Sequence, residues 1–195
     1  MTSLFNLTGK AALVTGGNGG IGLGIARGLA QAGARVAIIA RNTDKSHAAA
    51  KALAEETGVA PLVLTADVSS PDQVAAVVNE AKNGLGRIDI LFNNAGISIR
   101  KLPQELTPEE WHKVMDVNLT SAFLLSKAVY PHMKQVGGGK IINIGSMTSY
   151  FGQVSPPLTP PARGALSSSA RAWPWPGRRT TSRSMRSCPA GLRPN

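Results

Sequence analysis

A single cysteine, Cys188, stands in a chain of 195 residues, so no internal disulfide can staple the fold. That usage suits a reducing setting, and a cytoplasmic protein is expected. Aromatic residues make up only 5% of the chain. No stretch approaches the roughly 18 consecutive apolar residues that a spanning helix needs, which argues against a membrane protein. The opening MTSLFNLTGK has no basic segment followed by an apolar one, so no secretory leader is expected. The histidines His47, His112 and His132 fall in helical stretches without ligand spacing, and no metal site is expected. Residues 151–195 lack both acidic residues and lysine.

That last absence divides the chain. Residues 1–150 carry fourteen Lys and Arg against eleven Asp and Glu, whereas residues 151–195 carry seven arginines with no counter-charge. The formal charge of +10 is thus concentrated in the tail, which also holds eight of the thirteen prolines. Residues 1–150 form the expected domain, and residues 151–195 read as an irregular basic segment.

Within the first unit, short apolar runs alternate with helical periods. The pattern predicts strands at 11–15, 35–40, 61–66, 88–92 and 140–144. Helices are expected at 21–32, 44–57, 71–84 and 108–135. Thr107 followed by Glu110 spells a capping box at the start of the last helix, and Trp111 beside it reads as packing. Strict β-α alternation with strands apolar throughout implies an α/β fold, a doubly wound parallel sheet of the Rossmann type. No internal repeat is present.

The first strand runs into Thr15-Gly16-Gly17-Asn18-Gly19-Gly20-Ile21-Gly22. Glycines at a strand–helix junction let the backbone turn tightly and approach a pyrophosphate, which the helix N-terminus favours. The spacing Thr-Gly-x-x-x-Gly-Ile-Gly, together with Asp67-Val68, Asn93-Asn94-Ala95-Gly96, Asn118 in MDVNLTSAF and Ser146 in IINIGSMTS, resembles the short-chain dehydrogenase/reductase family over residues 10–150. The resemblance implies nucleotide contacts from Thr15, Gly16, Asn18, Gly20, Ile21, Gly22, Asp67, Val68, Asn94, Ala95 and Gly96. It implies a catalytic Ser146 and an Asn118 that holds a relay water. The activity implied is hydride transfer between a nicotinamide and a small-molecule secondary alcohol or ketone. The N-terminal segment looks most like the sugar-acid and 3-oxoacyl reductase branches, gluconate 5-dehydrogenase among them. A carboxylate after the second strand would bind a ribose 2′-hydroxyl. Here Arg41 stands after Ala40 and favours NADP over NAD by offering a 2′-phosphate its guanidinium.

The family's general acid/base is a Tyr with a Lys four residues on, about a dozen residues past the Ser. That pair is absent. Tyr150 lies too near Ser146 and has no following Lys, while Tyr130 and Lys134 have the spacing but precede the Ser on another element. Reading Leu158–Arg163 from a shifted frame permits Tyr-Ala-Ala-Ser-Lys, and later stretches of the tail permit further family-like segments. We therefore expect residues from about 158 onward to be a frameshift product of a GC-rich gene. A natural Pro/Arg-rich disordered tail is the competing reading. On the frameshift reading the sheet stops after its fifth strand and exposes an apolar edge. The chain is then inactive as written, and the intact parent is a homo-tetramer. Two further readings stay open: a non-catalytic NAD(P)-binding protein whose basic tail binds a partner, and an Arg/Trp arm for nucleic acid, which the scattered arginines disfavour.

Overall fold

The structure, a computed structural model, describes residues 5–146. Expectations about the basic tail, the boundary at residue 150 and the shifted frame fall outside the described residues. Five strands, β1 (Ala11–Thr15), β2 (Arg35–Ala40), β3 (Leu62–Thr65), β4 (Ile90–Asn93) and β5 (Lys140–Asn143), form one sheet in the order β3-β2-β1-β4-β5. Every pairing is parallel, with Leu13 opposite Ala37 and Leu91, and Asn93 opposite Asn143. Helices α1 (Gly20–Gln31), α2 (Thr43–Thr57), α3 (Pro71–Leu85), α4 (Pro108–Met115) and α5 (Ser121–Gln135) alternate with the strands. The expected doubly wound sheet is present, with strand ends displaced by one or two residues from the sequence reading.

Side chains alternate between the two faces of a strand, so each apolar strand feeds two cores. Ala11, Leu13, Ala37, Ile39 and Leu91 pack with Val74, Val78 and Ala81 of α3 and Leu125, Val129 and Met133 of α5. On the opposite face Val14, Val36 and Ile38 pack with Ala26 of α1 and Leu53 of α2. Helix ends are closed by local chemistry. Asn42, Ser70 and Thr107 cap α2, α3 and α4, and the Thr107–Glu110 capping box forms as the sequence predicts. Gly58 and Gly86, both at φ 75°, end α2 and α3. The Arg35 guanidinium donates to the last carbonyls of α3, at Gly84 and Leu85.

Two expectations are corrected. The helix expected over 108–135 is interrupted by a five-residue π-helical segment, Asp116–Thr120. The large or small apolar residues facing the core fall at Val114, Val117, Ala122, Leu125 and Val129, and the five-residue step from 117 to 122 exceeds the ordinary three or four. One extra residue in that turn restores the register on both sides. Trp111, read as packing, is instead 40% exposed on the outer face of α4.

The N-terminal edge of the sheet is clamped by Asp89, which is buried. Its carboxylate accepts from Arg87 at 2.6 and 2.7 Å, from the Ala11 N–H at 3.0 Å and from Lys10 at 3.2 Å. Its main chain bonds Ala11 O and the Lys140 N–H, so one residue ties together the starts of β1, β4 and β5. Burial works against the charged form, but the bonds from Arg87, Ala11 and Lys10 outweigh it and hold the Asp89 pKa below its usual value. Replacing Asp89 by Ala should cost about 3 kcal/mol in urea denaturation, because charged donors lose a buried partner. A depressed folded-state pKa means this stabilisation is whole above about pH 4 and is lost as pH falls through the folded value. The wild type should therefore weaken in acid more steeply than Asp89→Asn, and equal pH profiles would refute the clamp.

Candidate functional site

All five strands end at one edge, and the sequence motifs line up there in strand order. The order reverses between β1 and β4, the switch point where open α/β sheets leave a crevice. Adjacent strands lie about 4.8 Å apart, so the row from β3 to β5 spans about 19 Å, room for an extended ligand.

At the centre, Thr15 ends β1 fully buried. Its hydroxyl accepts the N–H groups of Asn94 at 3.0 Å and Ala95 at 2.9 Å, and donates to Phe92 O at 3.3 Å. The Asn94 amide returns to Thr15 O at 2.9 Å and Gly16 O at 3.4 Å. Gly16 and Gly20 adopt φ of 63° and 51°, a region that favours glycine. Gly22 is required for another reason: a Cβ there would lie 2.2 Å from Gly16 O and 2.5 Å from Asn94 Nδ2. Helix α1 can approach the strand end only without that atom.

The head of α1 is the part open to a ligand. Its N-cap, Gly19, brings no side-chain bond, and no carboxylate occupies its first turn, whereas α2, α3 and α4 are capped by side chains. A Cβ at Gly20 would meet nothing within 4 Å, and Ile21 is 69% exposed. Free N–H groups at a helix start, with clear space before them, fit an anionic group such as a pyrophosphate. Asn18 is turned the other way. Its amide donates to Ser46 Oγ at 3.0 Å and Asn42 O at 3.4 Å, stapling the loop to the β2–α2 turn.

Toward β3, Arg41 and Asp67 face each other at 3.9 Å, with their side chains 59% and 36% exposed. Asp67 accepts from the Ser69 hydroxyl at 2.6 Å and the Ser69 N–H at 2.9 Å. These bonds, with a smaller contribution from Arg41, pull its pKa down against the cost of burial. Val68 is buried in the core, so only its main chain is available to a ligand.

Toward β5, the chain leaves β4 through exposed Gly96 and reaches Ile97. Both polar ends of the buried Asn118 side chain are committed there: Oδ1 accepts the Ile97 N–H at 2.7 Å and Nδ2 donates to Ile97 O at 2.8 Å. The π-helical segment thereby braces the loop after β4. Ser146 lies three residues past β5, half-buried, after Ile144 has extended the β4–β5 pairing through Asn93 O. Sequence reasoning missed the buried contacts beneath it, where Asn93 Nδ2 donates to Asn143 Oδ1 at 2.8 Å and to Ser126 Oγ at 3.3 Å. Cross-strand pairing of Asn93 with Asn143 follows from the register, which the sequence does not show. Thr15, Asn18, Asn94 and Asn118 fix the loops at this edge through hydrogen bonds, while Gly20, Ile21, Arg41 and Gly96 are exposed there and Asp67 is half-buried.

Residues 10–159 match the family model described as short chain dehydrogenase. The chain is 40% identical over 146 residues to gluconate 5-dehydrogenase of Gluconobacter oxydans, covering 75% of this chain and 57% of the relative. It is 41% identical over 147 residues to a 3-oxoacyl-[acyl-carrier-protein] reductase of Vibrio cholerae, covering 75% and 59%. Among solved structures, a gluconate 5-dehydrogenase from Burkholderia cenocepacia in complex with NADP and tartrate superposes with a TM-score of 0.80 at 40% identity, covering 86% of this chain and 66% of that one. The first curated relatives are matched over only 56–62% of their own length.

Asn118→Ala should strip both bonds from the Ile97 main chain and destabilise the protein by about 2–3 kcal/mol. Limited proteolysis should then cut faster between residues 97 and 106. Unchanged stability with unchanged cleavage would show that the brace is dispensable.

Proposed function

The chain belongs to the short-chain dehydrogenase family, and from that premise we propose that it carries the nucleotide-binding part of an NADP-dependent oxidoreductase acting on a secondary alcohol or ketone. The observation that carries the reading is the row of motifs along the C-terminal edge, in the order Asp67, Arg41, the Gly16–Gly22 loop, Asn94 and Ser146. The open head of α1 holds the pyrophosphate, Arg41 takes the 2′-phosphate, and Asp67 with the Val68 main chain borders the adenine. Asn94, Ala95 and Gly96 line the floor on the nicotinamide side, and Ser146 donates to the substrate oxygen. The nicotinamide, when bound, exchanges a hydride with the substrate carbon. Acidic sugar derivatives are the favoured substrate class. Arg100 supports this: it is exposed on the loop after β4 and makes no ion pair among the described residues. That loop is pinned at one end by Asn118 and at the other by the 2.5 Å Lys101–Glu110 contact.

Proton transfer is the missing part. No Tyr with a Lys four residues on follows Ser146 in these 195 residues. The family match ends at residue 159, next to residue 158 from which we expect the frame to be shifted, and this supports the frameshift reading. A non-catalytic nucleotide-binding protein is the second reading, favoured by the same missing pair. Purified chain should bind NADPH in a fluorescence titration and fail to oxidise it with 5-keto-gluconate. Arg41→Ala should weaken NADPH about tenfold, the loss of one charge-assisted contact, and leave NADH unchanged. Ketone-dependent NADPH oxidation would refute the inactive state. Resequencing the gene past codon 146 separates the readings. A corrected frame restoring Tyr and Lys indicates a complete reductase, and the same bases confirmed indicate binding without turnover.

A further inference from the structure

Lys45 is a cation in an unfavourable place. It is exposed, three residues beyond the Asn42 cap of α2, and forms no ion pair among the described residues. Its side chain reaches back over the Gly-rich loop: a Cβ at Gly19 would lie 2.8 Å from Lys45 Nζ and 3.1 Å from Cε. Gly19 is the N-cap of α1, so the ammonium rests beside the positive end of that helix, and no carboxylate stands in the first turn to offset it. Like charges set together without an anion repel, and a four-carbon stem is free to swing into water instead. The arrangement becomes favourable when an anion shares the space.

Which anion follows from where Lys45 is anchored. The turn that carries Arg41 and Lys45 is fixed to the loop: Ser46, fully buried, donates to Asn42 O at 2.7 Å and takes the Asn18 amide at 3.0 Å. The end of β2 is where dinucleotide folds read the ribose 2′ position. Arg41 leans to the β3 side, toward Asp67 at 3.9 Å, and leaves the loop side of that position to another group. Lys45 occupies that side. A pyrophosphate on the Gly20–Gly22 N–H groups would be common to NAD and NADP, and would give Lys45 no part in choosing between them.

We propose that Lys45 is a second determinant of cofactor choice, pairing with the 2′-phosphate of NADP(H) from the loop side while Arg41 approaches from the sheet side. The inference rests on the nucleotide reading above. It is tested by equilibrium binding, with NADPH and NADH titrated into the full chain and nicotinamide fluorescence as the readout. Lys45→Ala should weaken NADPH about tenfold and leave NADH within about twofold, as expected for one charge-assisted contact. Lys45→Arg should recover most of the loss, and the wild-type advantage for NADPH should shrink with added salt. Circular dichroism checks that each variant is folded. Equal weakening of both dinucleotides would move Lys45 to the pyrophosphate and overturn the proposal, as would unchanged NADPH affinity. A wild type that binds neither dinucleotide would overturn the nucleotide reading and this inference together, whereas a failure confined to Lys45 leaves that reading standing.

Discussion

The hydroxyl of Thr15 joins the two halves of the sheet at the edge where the site lies. A hydroxyl offers one proton and two lone pairs, and here all three are engaged, with Phe92 O, the Asn94 N–H and the Ala95 N–H. β1 and β4 are the strands between which the order reverses, so this one side chain couples the β1–α1 loop to everything after β4. The Asn94 amide closes the exchange on Thr15 O and Gly16 O, and Gly22 lets α1 sit against both. The path continues outward through Gly96 to Ile97, where Asn118 takes both main-chain groups. Thr15, Asn18, Asn94 and Asn118 therefore spend side-chain hydrogen bonds on holding this edge in one arrangement.

The two edges of the sheet divide the physical tasks. At the N-terminal edge the ionised Asp89 has its donors supplied by Arg87, Lys10 and the Ala11 main chain, and the charge is internally matched. At the C-terminal edge the matching is incomplete. Arg41 meets Asp67 only at 3.9 Å, Lys45 and Arg100 form no ion pair among the described residues, and α1 begins without a carboxylate. Residues 1–150 carry only three more cations than anions, so this local excess comes from placement and not from bulk charge. Unmatched positive charge beside an open helix start is costly for an empty protein and useful for one that holds a phosphorylated ligand.

The strands and their alternation with helices were legible because burial on both faces writes continuous apolar runs such as AALVT and RVAIIA. The glycine loop was legible because Gly16 and Gly20 must take positive φ, and the Thr107–Glu110 capping box because its partners are three residues apart. What escaped was set by distance in sequence. Nothing local says that Asn93 will lie opposite Asn143, that Asn18 will reach Ser46, or that Lys45 will cross to Gly19. Trp111 misled because a large apolar residue near a helix start has no local mark of which face it takes. The π-helical segment was legible in principle. Val117 and Ala122 both face inward, and a five-residue step in an ordinary helix would rotate one of them by about 140°, well off the buried stripe.

That inserted residue has a consequence for the site. With the extra residue, Val117, Asn118, Ser121 and Ala122 are all buried, so one turn serves the core and the loop after β4 together. The turn is held by the Ser121 N–H on Asp116 O, five residues back, and by the Ser121 hydroxyl on Val117 O at 2.7 Å. An unbroken α-helix would have to choose between packing Val117 and presenting Asn118 to Ile97. The bracing contacts named along this edge join residues far apart in sequence, Thr15 with Asn94 and Ala95, Asn18 with Ser46, and Asn118 with Ile97. Proton transfer is different in kind. It needs a titratable group held against the substrate oxygen beyond Ser146, and preorganisation of the loop cannot substitute for it. Holding a ligand and moving its proton thus make separate demands on a fold, the first met by fixed main-chain and side-chain donors and the second by a group that titrates.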